Sequence, residues 1–492
     1  MTALPVLLPV AVLSAGVLAV LASLLSPRLA KAVAVVGAAS GFGLAVTGLV
    51  AVIGEGPIHH ELGGWPPPIG IEYVLDPLSA FIALIVTAIG LLAVVYPNLA
   101  GFDFEPTRGS PLHALVLLLL AGLLGVVVSG DLFHLFVFLE IYAIATYALV
   151  ATGGDRAVFA SFRYLLIGTA GSGLYLIGVG FVYFSTGSLN MADLAGLLPE
   201  LTGSPSIIGA LVLITMGLAV KMALFPLHVW LPDAHANAPP AVAALLAAVQ
   251  VKVGAYALIR VLNQVFGTEF ALGTLPVGDA LVWFGAAGIL VGSVLAITQS
   301  DFKRLLAYST VAQLGYIGVG IGLGTPLALV GALLHVLNHA VMKSALFFIA
   351  GGIYSQTKVR EISKFAGLGA RMPWLMAAFT VAAAGMVGIP PTAGFFSKFY
   401  LVLASVDEGL WPLAIVVVAS SLLTAAYFLR VIEQVWTKEP IDAKIAASHE
   451  PTPGVLVPVV ILAVAVLAIG IGNLGIVDGL LSPLAEDVVG AL

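Results

Sequence analysis

Five ionisable side chains lie inside long apolar stretches of the sequence: Lys221, Lys252, Lys343, Lys398 and Glu140. Burial disfavours the charged form of an amine, and a nearby carboxylate favours it again. Such a group can gain or release a proton when its partner moves, so a row of them joined by water suits a proton relay. A charged lysine has no lone pair for a metal cation, which favours protons as the transported species. The alternative is a scaffold role, in which these groups form ion pairs that only hold helices together.

Two histidines share a spacing with one of these lysines. His335, His339 and Lys343 follow one another at intervals of four residues, which places them on one helix face over about 12 Å. Histidine titrates near neutral pH and therefore suits a proton shuttle. Two histidines at this spacing can also bind zinc, but Val336 stands where the zinc-protease motif has Glu, and no third ligand is evident. We therefore predict no metal site. The alternative for the histidines is a plain hydrogen-bonded helix contact.

Three further polar residues are weaker candidates for the same pathway. His134 follows Asp131 at the start of an apolar stretch and could lead protons toward Glu140; its alternative is anchoring at the membrane interface. Asp233 and His235 occupy a proline-rich turn and could serve proton uptake; their alternative is an ordinary turn.

Prolines interrupt the apolar stretches beside two of the lysines. Pro226 follows Lys221 by five residues, while Pro390 and Pro391 precede Lys398. Proline removes a backbone donor and disrupts the preceding helical turn, and the freed carbonyls need protein or water partners inside a membrane. Interrupted helices in corresponding halves of a chain are typical of a transport site between repeats. The alternative is that proline is simply common in membrane helices.

Composition defines the class of protein. The chain has 492 residues, of which 61% are hydrophobic and 9% charged, and it contains no cysteine. A soluble domain carries about 25% charged residues, so a soluble enzyme, a nucleic-acid binder and a disulfide-stabilised secreted domain are excluded. The sequence predicts an all-α polytopic membrane protein in a lipid bilayer.

Runs of about 20 apolar residues mark helices that can cross a membrane. Fourteen such runs are predicted, with approximate bounds 3–24, 29–54, 75–96, 111–129, 131–151, 160–184, 206–229, 239–262, 277–299, 304–323, 325–354, 373–404, 409–436 and 453–475.

The positions of the cations predict the orientation. The odd-numbered loops and their flanks hold most of the Lys and Arg residues, whereas Arg260 is the single one in the even-numbered loops. The cations of the odd-numbered loops are Arg28, Lys31, Arg108, Arg156, Arg163, Lys303, Arg304, Lys358, Arg360, Lys364, Arg371, Arg430, Lys438 and Lys444. Because cytoplasmic loops are enriched in Lys and Arg, both termini are expected outside.

No motif for a nucleotide or a redox cofactor is visible, and the lack of cysteine excludes thiolate ligation of an iron–sulfur cluster. We therefore expect no cofactor and no enzymatic activity of the chain itself. The driving force must come from an ion gradient or from a partner.

Three segments carry a family resemblance. The run KMALFPLHVWLPDAHANAP from Lys221 to Pro239 resembles the antiporter-like subunits of respiratory complex I and of Mrp-type multisubunit Na⁺/H⁺ antiporters, as do the segments His335–Lys343 and Gly388–Lys398. The resemblance implies two inverted five-helix repeats with broken helices 7 and 12. The expected organisation of the chain has four parts. Residues 1–110 hold helices 1–3, residues 111–262 the first repeat (helices 4–8), residues 277–436 the second repeat (helices 9–13), and residues 453–492 helix 14 and the tail.

The resemblance also implies a function. Glu140 matches the family's helix-5 glutamate, Lys221 its helix-7 lysine and Lys252 its helix-8 lysine. His335, His339 and Lys343 match the helix-11 group, and Lys398 matches the helix-12 residue. A chain of this length, without a long lateral helix, is most similar to the D-type antiporter-like chain of Mrp complexes.

A proton-translocating subunit of a Na⁺/H⁺ antiporter in a bacterial cell membrane is therefore expected. Its partners are other membrane subunits, and Na⁺ passes elsewhere in the complex. The alternative is a proton-pumping subunit of complex I or of a related hydrogenase complex.

Overall fold

The computed structural model describes residues 2–97 and 111–490, and this part of the chain is built mainly from α-helices. The principal helices are α1 Leu4–Leu25, α2 Pro27–Glu55, α3 Pro77–Val95, α4 Leu112–Val128, α5 Leu132–Ala151, α6 Asp155–Thr186, α7 Pro205–Met222, α8 Leu231–Asn237, α9 Pro240–Val265, α10 Val277–Ile297, α11 Phe302–Gly322, α12 Pro326–Thr357, α13 Pro373–Val387, α14 Ala393–Asp407, α15 Trp411–Thr437, α16 Pro453–Ile471 and α17 Ser482–Gly490. Shorter helices are Met191–Leu197, Leu368–Arg371, Ala443–Ala446 and Asn473–Ile476.

Twelve helices of the described ranges are long and apolar enough to cross a membrane. Two further apolar helices, Leu112–Val128 and Pro373–Val387, are shorter and coincide with the fourth and twelfth predicted runs. The predicted helical membrane class is confirmed, and the number of fourteen spans stays a prediction. Arg108, one of the cations used to predict the orientation, lies outside the described residues.

Local sequence explains where several helices begin. Asp76 caps α3 by accepting from the backbone N–H of Ser79, whose hydroxyl in turn accepts from the N–H of Asp76. Asp301 caps α11 in the same way through the N–H of Arg304. Such caps satisfy backbone donors that have no partner within the helix.

A small hairpin is the main departure from the predicted all-helical architecture. Strands β1 (Ile58–Glu61) and β2 (Glu72–Leu75) pair antiparallel between α2 and α3. The backbone N–H of Gly130 donates to the carbonyl of Glu72 at 3.0 Å, which ties the hairpin to the start of α5. This segment is too short and too charged to span a membrane, so its backbone pairs as strands outside the spans.

Helices α9 and α12, which carry the centre of the candidate relay, are among the most buried. The most apolar stretches of α9, α11 and α12 are 100%, 94% and 94% buried, against 39% for α6 and 33% for α15. Lys252 lies on α9, and His335, His339 and Lys343 lie on α12. The ionisable groups therefore occupy the protein core, while α6 and α15 expose apolar side chains as lipid-facing helices do.

Helix α9 is not a regular α-helix. Its hydrogen bonding widens to the π pattern at Leu246–Gln250 and again at Arg260–Val265, on either side of Lys252. Such π turns are rare and occur frequently at functional sites.

The two predicted helix breaks are confirmed. Helix α7 ends at Met222 and α8 begins at Leu231, while α13 ends at Val387 and α14 begins at Ala393. Pro226 lies in the first break, and Pro390 and Pro391 lie in the second.

Both breaks end the preceding helix with the same geometry. Ala223 and Gly388 take left-handed conformations with φ of 57° and 87°. The next residue donates back to the carbonyl five positions earlier, Leu224 to Ala219 and Ile389 to Ala384. This is the Schellman pattern of a helix C-terminus. Its recurrence at equivalent places supports the predicted repeats, whose boundaries stay a prediction.

Candidate functional site

Glu140 and Lys221 meet between α5 and α7. The Lys221 Nζ lies 3.4 Å from Oε1 of Glu140, and the Ser172 hydroxyl donates to the same carboxylate oxygen. The Lys221 side chain is 1% exposed and that of Glu140 is 27% exposed. The ammonium group is therefore buried next to a carboxylate that is partly exposed. The sequence-predicted residues are thus brought together as an ion pair.

Lys221 lies at the C-terminal end of its half-helix, where free carbonyls favour a cation. The Trp230 indole donates to the Val220 carbonyl at 3.0 Å and stacks on Tyr164 with the ring centroids 4.0 Å apart. Gly254 of α9 packs closely against this end of α7. A Cβ added at Gly254 would lie 3.2 Å from the Lys221 carbonyl oxygen. The helix that carries Lys252 therefore contacts the end of α7 directly.

Lys252 is buried and donates through Nζ to the Ala247 carbonyl, within the first π turn of its own helix. No salt bridge to an acid is formed by Lys252 within residues 2–97 and 111–490. The nearby Gln250 amide bridges Thr146 and Tyr164. The site around Lys252 is thus a polar pocket without a carboxylate, which suits an amine that changes its protonation state.

The α12 group is fully buried. The His335 and His339 rings lie 5.9 Å apart between centroids and are stacked, which confirms that they share a helix face. Nδ1 of His335 pairs with the Ser397 hydroxyl at 2.9 Å, whereas neither ring nitrogen of His339 has a partner among the described residues. Lys343 donates to the Leu306 carbonyl at 2.8 Å and to the Ser309 hydroxyl. Buried polar nitrogens usually have a hydrogen-bond partner, so the unpartnered imidazole of His339 stands out within this group.

Lys398 reaches back from α14 to the end of α13. Its Nζ donates to the carbonyls of Met386 at 2.9 Å and Val387 at 3.0 Å, and to the Ser421 hydroxyl at 3.1 Å. The ammonium also lies 5.2 Å from the centroid of the Tyr316 ring, which lies 5.1 Å from the His335 ring. Both break lysines therefore lie at the C-terminal end of a first half-helix, although they come from opposite sides of their breaks.

His134 packs against the hairpin, and its part in the pathway stays a prediction. Its ring lies 3.3 Å from the Tyr73 hydroxyl and 3.3 Å from the Ser129 hydroxyl, against the hairpin. Burial raises the pKa of Tyr73 to about 12. Within the part of the chain that the structure describes, no hydrogen bond joins His134 to Glu140.

The structure gives Asp233 and His235 different surroundings. Asp233 is held by Arg163 at 2.8 Å and by Arg304 at 3.4 Å, which ties α8 to α6 and α11. His235 is fully buried, and neither ring nitrogen has a partner among the described residues. Asp233 therefore ties neighbouring helices together, whereas His235 is a buried imidazole with no hydrogen bond to the described residues.

Two cations that the sequence pattern assigns to loops are buried. Arg260 lies in the second π turn of α9 and pairs with Asp76 at 2.5 Å. Lys303 is 7% exposed in the first turn of α11. The signal that could have found Lys303 is its position two residues after the cap Asp301. The described residues contain no cluster of three or more metal-binding side chains.

Comparison with known proteins decides the family. A family model described as "NADH:quinone oxidoreductase/Mrp antiporter, TM" matches residues 129–424, more than half of the chain. The chain belongs to this family. This confirms the family resemblance found in the sequence.

Relatives of this chain include subunits of NADH-quinone oxidoreductases and of Na⁺/H⁺ antiporters. The chain is 50% identical over 438 residues to the N subunit of NADH-quinone oxidoreductase from Desulforudis audaxviator, covering 86% of this chain and 87% of the relative. It is 34% identical over 437 residues to the D subunit of the Na⁺/H⁺ antiporter from Alkalihalophilus pseudofirmus, covering 86% of each. A chain in the structure of the Mrp complex from Dietzia matches with a TM-score of 0.90 and 27% identity, over 100% of this chain and 98% of that one.

Proposed function

We propose that this antiporter-like chain translocates protons through the membrane as a subunit of a multisubunit complex. One observation carries the proposal: buried ionisable groups extend from the Glu140–Lys221 pair to Lys398, with His335 and His339 beside the second break. A charged side chain at the centre of a membrane helix costs about 2.5–3.5 kcal/mol, so several of them need a functional reason.

Each group has a role in this proposal. A proton that reaches Glu140 weakens its pair with Lys221, and Lys221 then passes its own proton toward Lys252. Lys252, His339 and Lys343 hold the proton in the core, and Lys398 releases it beyond the second break. Pro226, Pro390 and Pro391 keep the backbone open at the two breaks, where carbonyls can hold water.

The relatives support a proposal for the kind of complex. The 50% identity to an N subunit supports a respiratory complex of the NADH-quinone oxidoreductase type, in which electron transfer by partner subunits drives the pumping. An Mrp-type antiporter, in which proton flow is coupled to Na⁺, is the second candidate; the full-length match to the Dietzia complex supports it. In either case the chain is a translocating subunit in a bacterial membrane, not an enzyme by itself.

The partners distinguish these two complexes. Isolating the native complex through a tag on this chain and identifying the co-purified subunits by mass spectrometry is expected to yield redox subunits. Recovery of small antiporter subunits without redox subunits would instead assign the chain to an Mrp-type antiporter. The pH inside vesicles that contain the complex gives a second readout. It is expected to change on addition of an electron donor if the complex is respiratory, and on application of a Na⁺ gradient if it is an Mrp-type antiporter.

We further propose that both termini face outward. Ser363 is exposed in the loop after α12, close to Arg360 and Lys364, which the orientation places in the cytoplasm. A membrane-impermeant maleimide is expected to label Ser363→Cys only in inside-out vesicles, and the absence of native cysteine removes background. Labelling in right-side-out vesicles would reverse the assignment.

A further inference from the structure

Lys303 is a buried amine that the proposed relay does not yet use. It lies in the first turn of α11, 7% exposed, and its Nζ donates to the Ala238 carbonyl. No salt bridge joins Lys303 to an acid in the described part of the chain; the nearby Asp301 carboxylate is paired with Arg360 at 2.7 Å. An amine in this position is protected from bulk water yet is not fixed in its charged form by an acid.

The Lys303 ammonium contacts the cap of the helix that carries His235. Ala238, whose carbonyl accepts from the Lys303 Nζ, is the C-cap of α8 and follows His235 by three residues. The Arg360 guanidinium donates to the Ala236 carbonyl at 2.9 Å from the other direction. Two cations from the second half of the chain thus converge on the end of α8.

His235 connects this position to the core of the relay. Both of its ring nitrogens lack a partner among the described residues, and its ring packs edge-on against Trp230 and Phe347. Phe347 follows Lys343 by four residues on α12, so the His235 imidazole packs one helical turn from a central lysine. His235 therefore joins the end of α8, which Lys303 contacts, to the helix that carries Lys343.

An open cavity brings solution close to Lys303. A cavity of about 410 Å³ is lined by Asp301, Arg360 and Lys364, on the face of the protein where the loop cations cluster. The paired Asp301 and Arg360 side chains in this lining are 31% and 36% exposed, and Asp301 caps the helix that carries Lys303. The cavity therefore reaches the start of α11, two residues from the buried amine.

We propose that Lys303 takes up protons from this cavity and delivers them through His235 to Lys252 and Lys343. A proton from water binds the neutral Lys303 amine, the resulting ammonium gives a proton to His235, and the imidazolium gives it to a central lysine. Lys303 and His235 thereby return to their starting states, and the central lysine returns to its own when it passes the proton on along the relay, so no other reactant is consumed. The charged groups that face Lys303 are Asp301 on its own helix, Arg360 on the loop after α12, and His235 on α8. This inference rests on the proposed proton translocation.

The first test is Lys303→Arg in the intact complex, reconstituted in vesicles and assayed for proton translocation. Arginine keeps the charge and the donor to Ala238 but does not deprotonate in proteins. We expect a loss of about 100-fold or more, the lower end of what a positioned proton donor contributes. Lys364→Arg is the matched control, because Lys364 lies on the same face in an exposed pair with Glu361 and should keep full activity.

A second variant separates uptake from a purely structural cap. Lys303→His is expected to retain transport with a pH dependence moved to lower pH, because an imidazole with a pKa near 6.5 loses its proton before an amine does. A cap role predicts full activity for Lys303→Arg and an unchanged pH profile for Lys303→His, and either result would overturn the inference. If Lys303→Arg is active while Lys221→Ala is inactive, the uptake route fails and the proposed function stands. If both are active, the proposed function fails as well.

Discussion

Lys221→Ala and Glu140→Ala are each expected to reduce proton translocation by about 100-fold or more while the complex still assembles. The Lys221 ammonium is 1% exposed, and its acid partner is Glu140 at 3.4 Å. Removing the acid leaves a buried cation with the Tyr142 ring 5.9 Å away, and removing the cation leaves the carboxylate with the Ser172 hydroxyl. Either change abolishes the pair whose opening we propose to start the transfer.

Graded variants at the same place test the reason for the loss. Glu140→Asp keeps the charge with a shorter reach and should keep partial activity. Ser172→Ala removes a hydroxyl that contacts Glu140 but leaves both ionisable groups, so it serves as the control and should lower the rate only slightly. The readout is proton uptake into vesicles, with assembly checked on a native gel. Rates near those of the unsubstituted complex in Lys221→Ala or Glu140→Ala would contradict the switch.

The sequence predicted the breaks because proline has a fixed physical effect. Pro226 and the pair Pro390–Pro391 cannot continue a helix, and the residues before them end their helices as expected. It could not predict that Lys398 would reach back to the carbonyls of Met386 and Val387. That contact depends on how α14 folds against α13, which no local pattern records.

The π turns of α9 escaped prediction for a related reason. The residues from Leu246 to Asn263 are buried on every side, so no amphipathic period distinguishes α from π hydrogen bonding. The surroundings of this helix come from distant parts of the chain, as at Gly254, whose lack of a side chain lets α9 meet the end of α7.

Burial of single cations was also beyond local reasoning. Lys303 and Arg304 are adjacent in the sequence, yet the first is buried against the Ala238 carbonyl and the second has an exposed side chain paired with Asp233. The difference comes from α8, which lies more than sixty residues earlier in the chain. The surroundings of His134 could not be predicted either, because its ring contacts Tyr73 of a hairpin that the sequence did not reveal.

Lys398→Arg is expected to assemble normally and to lose proton translocation by about 100-fold or more. The Lys398 ammonium is held by three oxygen acceptors, from Met386, Val387 and Ser421, and its carboxylate-free surroundings in the described residues make the neutral amine accessible. Arginine can donate to the same oxygens and keeps the charge. It cannot release the proton, because the guanidinium stays protonated in proteins.

The comparison with Lys398→Ala gives this prediction its meaning. If Lys398 only caps the end of α13, its role is to donate to the free carbonyls there. Arg is then tolerated, and Ala destabilises the complex because it removes a donor from a buried helix end. If Lys398 releases protons, Arg and Ala are both inactive, whatever their stability. Lys438→Arg is the control, since Lys438 forms an exposed pair with Glu433 and should be unaffected. Full translocation by Lys398→Arg across a pH series would mean that this amine never loses its proton, and the exit step would then have to lie elsewhere in the chain.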